Sequence, residues 1–174
     1  MTADPTPLDP AGLAGAWSLD PARTSITIRT KAMWLLPVKG TAKAVEGGGT
    51  VGPDGSVSGT LVVDAASIDT GTAKRDQHLR DADFFEVAKY PTITYEATAG
   101  TVSASGRVEL TGTLTLHGRT QQLALVGRVT AADDDGATVV VEAEVDRSQW
   151  GMTFSKMGAG LGNHLVISAR FTKA

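Results

Sequence analysis

Cysteine is missing from all 174 residues. That absence removes disulfides, thiolate metal sites, a cysteine nucleophile and a lipidated cysteine anchor together. Aromatics are scarce, with three Trp, two Tyr and four Phe. No run of Lys or Arg occurs and the formal net charge is −3, so the footprint of a nucleic-acid binder is lacking and no nucleic-acid partner is expected. The longest uncharged apolar run, Ala32 to Val38, is far short of the roughly 20 residues of a spanning helix. No membrane span is expected. The first residues carry Asp4 and Asp9 and no positive charge before Arg23, the reverse of a secretion signal, which makes a cytoplasmic chain the expectation. No nucleophile elbow, phosphate loop or dinucleotide fingerprint is present, and no cofactor is expected.

What is present is alternation. The length suits one core, and residues 1–14, rich in Pro, Ala and Asp without periodicity, read as a flexible tail ahead of one domain at 15–174. Ile26 and Ile28 alternate with Thr27 and Arg29; a second strand runs from Val38, and a third carries Val57, Leu61 and Val63 after a Pro53-Asp54-Gly55 turn. Further on, 106–116 and 121–129 form a hairpin across His117-Gly118-Arg119-Thr120. Asp133 to Gly136 turns the chain again, and two more strands follow, through Val139 to Val145 and Leu165 to Phe171. About eight mainly antiparallel strands suit a sandwich or an up-and-down barrel, and the pattern does not choose. With 20 Gly and few aromatics, many inward positions are small, which favours a cavity over a filled interior.

The stretch Ser67 to Ala97 interrupts this pattern. Thr72 is a candidate N-cap for a short helix to about Arg80, with Asp76 and Arg80 spaced to pair on its exposed side. Asp83 and Glu86 have capping-box spacing for one further turn through Phe84, Phe85 and Val87. Tyr90-Pro91 ends it, and from Thr92 alternation resumes with Ile93, Tyr95 and Ala97 on one face.

The runs SIDTG, RDQHL and DFFEVAKYPTITY in this stretch resemble the central signature of the YceI-like family, lipocalin-like barrels described as polyisoprenoid-binding proteins. WSLDPARTSITI, VKG at Val38 to Gly40, LTGTLTLHGRTQQLAL, DRSQWGM and the closing LVISARF extend the likeness over roughly residues 17–173. It implies an all-β fold, an eight-stranded antiparallel lipocalin-like barrel with a short helical insert after the third strand, and a buried isoprenoid or other long-chain lipid as partner. A homodimer is possible on the same ground. The chain departs from the family pattern in carrying Thr24 where a histidine is usual and in lacking another near Thr30.

The expected lining is Phe84, Phe85, Tyr95, Leu114, Leu116, Leu123 and Leu125, with Trp34 in the apolar stretch Ala32 to Pro37 as either a plug or a lip at the mouth. Met152 and Phe154 lie in a glycine-rich segment suited equally to a gate over an apolar ligand and to core packing. Arg75, Asp76 and His78 are the head-group candidates. His78, His117 and His164 have no metal-site spacing, and no metal is expected. Three functions follow: a non-catalytic carrier that binds, sequesters or transports the lipid; an enzyme with Asp76 and His78 as acid and base; or an interaction module whose barrel is filled.

Overall fold

Alternation of β-branched and small apolar residues with polar ones gives nine strands among the described residues. In chain order they are β1 (Gly15–Leu19), β2 (Ser25–Ala32), β3 (Leu36–Val51), β4 (Val57–Asp69), β5 (Thr92–Val102), β6 (Arg107–Leu116), β7 (Arg119–Ala132), β8 (Ala137–Asp146) and β9 (Gly162–Lys173). Among the described residues the single α-helix, α1 (Ala73–Leu79), sits between β4 and β5. This computed structural model describes residues 9–32, 36–154 and 160–174.

Pairing of β3 with β4 closes the antiparallel sheet into a ring in the order β3, β2, β9, β8, β7, β6, β5, β4. Closure leaves none of those eight strands as an edge strand along its whole length. The choice between sandwich and barrel is settled in favour of the barrel. β1 is a ninth strand outside the ring, bridging β3 at Trp17↔Gly49 and β9 at Trp17↔Lys173. The insert therefore follows the third barrel strand and the fourth strand of the chain. Ahead of β1, Pro10–Leu13 forms a 3-10 turn and the Trp17 indole donates to the Leu13 carbonyl at 2.8 Å, so packing reaches back to Leu13.

One seam is incomplete. β7 pairs with β8 only from Ala132↔Ala137 to Val126↔Glu142, and beyond that point the two strands diverge. A 3-10 turn at Arg147–Trp150 fills the gap. Asp146 caps it by accepting from the Ser148 amide at 3.0 Å and hydroxyl at 2.6 Å. Trp150, 1% exposed, donates from its indole to the Leu114 carbonyl at 2.8 Å, and Gln121 donates to the Gln149 carbonyl at 3.1 Å.

The β6–β7 connection is tighter than the four residues expected. The strands run to Leu116 and from Arg119, leaving only His117 (φ 52°) and Gly118 (φ 69°) in the turn. Two successive positive φ values match the right-handed twist of the flanking strands, and this is the geometry of a type I′ hairpin.

The insert also differs from its sequence reading. Thr72 stands at the N-cap of α1 but makes no side-chain cap bond. Asp76 is buried rather than on an exposed face, and its carboxylate accepts from the Thr70 amide at 2.9 Å and hydroxyl at 2.5 Å. Arg80 donates instead to the Ala66 carbonyl at 3.1 Å. Asp83 opens no helical turn: Phe84 and Glu86 both donate to the Asp81 carbonyl, at 3.1 and 2.9 Å, and Glu86 takes a left-handed φ of 49°. A left-handed residue cannot continue a right-handed helix.

Candidate functional site

Small inward residues leave the barrel interior unfilled. A cavity of about 750 Å³ runs from the insert down to Leu61, Tyr95 and Ile167. Beyond those three residues a smaller chamber of about 160 Å³ continues towards Trp17 and Leu13. Gly48, Gly49 and Gly59 face it, and the contacts there are close: a Cβ on Gly49 would lie 2.3 Å from the Ser58 carbonyl oxygen. The larger cavity falls within the roughly 300–1,000 Å³ of typical small-molecule sites. The interior anticipated by the interaction-module reading, filled with side chains, is not the one found.

Chemistry is distributed along this cavity with one sense. Its barrel wall is aliphatic, with Ile26, Ile28, Val38, Val63, Ile93 and Leu165 among the lining. Charge collects at the insert end, where Lys31, Lys74, Arg75, His78, Asp81, Arg147 and Asn163 face the space. A molecule matched to it is long and apolar, with a polar group at one end.

Arg147 organises that end. It is 7% exposed and its guanidinium donates to the carbonyls of Gly160 (3.0 Å), Met152 (2.6 Å) and Phe154 (2.6 Å). Burial pushes its pKa below the usual guanidinium range, against the opposing effect of the Asp146 carboxylate. The Phe84 ring lies against it, centroid to guanidinium carbon 5.1 Å, and Phe84, Phe154 and His78 meet edge to face at 5.0–5.3 Å. Three aromatic rings from two separate segments thus sit at the polar end of the cavity. Arg75 grips the β4–α1 junction, donating to the Thr70 hydroxyl at 2.6 Å and carbonyl at 2.7 Å.

Of the expected lining, Phe84, Phe85, Tyr95, Leu114, Leu116, Met152 and Phe154 face the larger cavity, and Leu125 faces the smaller one. Leu123 faces neither and packs against the core, contributing its carbonyl as acceptor for the Tyr95 hydroxyl at 2.8 Å. Met152 is at the same time a core residue, 1% exposed. Trp34 lies outside the described residues. Among the head-group candidates, Arg75 and His78 reach the cavity and Asp76 does not. Asp76 bonds to Thr70 and His78 to Asp83 (2.9 Å), so the two form no acid–base pair. The fold does gather His78, Asp81 and Asp83 with ligand atoms within 4.8 Å of one another, which sequence spacing did not suggest. The His78–Asp83 bond and the exposure of both aspartates make this a charged rim.

Lys31, Lys74, Arg147 and Asn163 were not singled out from the sequence. Only Arg147 had a signal, its place in DRSQWGM between a strand end and a buried Trp; the others converge from separate elements. The two threonines hold backbone: Thr24 donates to the Asp20 carbonyl at 2.8 Å and Thr30 to that of Gly162 at 3.2 Å. No helix among the described residues is long and apolar enough to cross a membrane.

A family model described as the YceI-like domain matches residues 17–172. A UPF0312 protein of Vibrio cholerae is 31% identical over 116 residues, 66% of this chain and 61% of that protein. One from Ectopseudomonas mendocina is 38% identical over 69 residues, 40% of this chain and 36% of that one. The chain thus spans about 61% of the length of the first curated relative and less of the second. Among solved structures, Burkholderia cenocepacia BcnA superposes with a TM-score of 0.76 at 18% identity, over 87% of this chain and 98% of that one. A polyisoprenoid binding domain from Saccharophagus degradans, implicated in plant cell wall breakdown, gives 0.63 at 16% identity over 91% and 98%. At such identities the likeness is one of fold.

Proposed function

The chain belongs to the YceI-like domain family, and on that premise we propose that its barrel is a non-catalytic carrier that takes up one long apolar molecule, tail first, with the polar end left among the insert residues. The observation that carries this is the sense of the 750 Å³ cavity, aliphatic along the barrel with its charged residues gathered at the insert end. Phe84, Phe85, Leu114, Leu116 and Phe154 are assigned to the apolar body of the ligand, Arg75 and His78 to its head. An isoprenoid, an isoprenoid quinone or a similar lipid has that form, and the solved polyisoprenoid binding domain with the same fold supports the class.

The energetics require length. Each buried CH₂ contributes about 0.8 kcal/mol, so ten carbons supply about 8 kcal/mol, comparable with the roughly 4–15 kcal/mol that association costs. Tight binding therefore needs a chain longer than about ten carbons. It needs no reacting group, and the reading assigns none.

Native mass spectrometry of the protein purified from its own host, followed by solvent extraction, tests this. A stoichiometric adduct lost on denaturation and identified as a long-chain lipid is the expected result. A bare chain mass, with no uptake after incubation with prenyl lipids, would overturn it.

A further inference from the structure

We propose that Tyr95 is the residue that sets the length of chain the barrel accepts, by closing the waist between its two chambers; the inference rests on the carrier reading above. Tyr95, Leu61 and Ile167 face both the 750 Å³ and the 160 Å³ space. Leu61 pairs directly with Tyr95 across β4 and β5. Ile167 stands on β9, four strands from β5 in either direction round the ring of eight, so it approaches from the opposite wall. Tyr95 is the bulkiest of the three, and its side chain reaches past the neighbouring strand. Its hydroxyl donates to the carbonyl of Leu123 on β7 at 2.8 Å, two strands away. On the strand between them, the position paired with Leu123 is Gly112, which offers no side chain to obstruct the reach.

The ring is held as well as placed. The phenol–carbonyl bond ties Tyr95 to β7 over Gly112. Tyr95 is 7% exposed; swinging it aside takes a buried phenol from its acceptor, which is costly. The chamber it screens is worth reaching for an apolar tail. Lined by Val51, Val102, Val108, Leu125 and Phe171 among others, it resembles apolar cavities of about 150 Å³ that stay dry and admit benzene. Its 160 Å³ therefore has room for about one five-carbon isoprene unit.

The test is a chain-length series of all-trans prenols, geraniol, farnesol, geranylgeraniol and longer, titrated into wild type, Tyr95→Phe and Tyr95→Ala. Wild-type affinity should rise with each unit and then level off. Tyr95→Phe, which keeps the ring, should level off at the same length. Tyr95→Ala should bind the short prenols as wild type does and level off about one unit later. Ile167→Ala, which opens the same waist from the facing wall, should move the plateau in the same direction and serves if Tyr95→Ala does not fold. An unchanged plateau in a folded waist variant overturns the assignment of Tyr95 while leaving the carrier reading intact. Failure of wild type to bind any prenol or fatty alcohol overturns the carrier reading itself.

Discussion

The guanidinium of Arg147 lies 5.1 Å from the centre of the Phe84 ring, so a residue at the end of β8 is packed onto the insert that follows β4. The same guanidinium holds the carbonyls of Met152, Phe154 and Gly160. Arg147→Met keeps a stem of similar reach and removes the donors. At about 1–3 kcal/mol for each of the three carbonyls left without its donor, a loss of about 3 kcal/mol or more in urea unfolding is expected. Arg147→Lys should recover less than half, because one ammonium cannot serve three carbonyls in the geometry of a planar fork. Unfolding midpoints equal to wild type in both variants would show that the contact contributes no stability.

Asp76 predicts an acid limb. Burial pushes its carboxyl up, but the bonds from the Thr70 hydroxyl and amide, with Arg80 and Arg75 nearby, outweigh it and hold the group below its usual range. A depressed folded-state pKa means stability that is fully present above the unfolded value of about 3.9 and is lost as pH falls through the folded value. Asp76→Asn should therefore be less stable than wild type at neutral pH, and the gap should narrow below about pH 4. Parallel stability curves for the two proteins down to about pH 2 would refute this.

Gly118 is required by its turn. A Cβ there would lie 2.5 Å from Cε1 of Tyr90, and the backbone φ is +69°. Gly118→Ala should cost about 1–2 kcal/mol from the left-handed conformation alone. Gly162→Ala is the control, since a Cβ at that position meets nothing within 4 Å, and it should be close to neutral. Thermal melts of the two variants decide the matter.

Trp150 seals the seam between β7 and β8. Trp150→Phe retains most of the apolar volume but leaves the Leu114 carbonyl without the indole donor, at a cost of about 1–3 kcal/mol. Hydrogen exchange should quicken locally in the Leu114–Leu116 end of β6 before the rest of the barrel is affected. Uniform exchange across all strands would mean that the seam is not a local weak point.

Much of this protein is set by local sequence. Period-two alternation places Ile93, Tyr95 and Ala97 on one face of β5 and Leu114 and Leu116 on one face of β6, because side chains on a strand alternate sides whatever the partner. Proline at 91 and glycine at 118 mark an element end and a turn for equally local reasons. The scarcity of large side chains foreshadowed space inside, and the motifs around the insert pointed to the family. What the chain could not disclose is where strands separated by many residues meet. Closure of β3 on β4, the gap between β7 and β8 and the convergence of Lys31, Arg75, Arg147 and Asn163 on one end of the cavity are products of ring geometry. The same holds for Asp76, whose spacing suits a surface pair with Arg80 but whose burial beside Thr70 depends on how the insert docks. Local sequence determined which residues share a strand face; only the closed barrel decided which face turns inward and which residues meet across the interior.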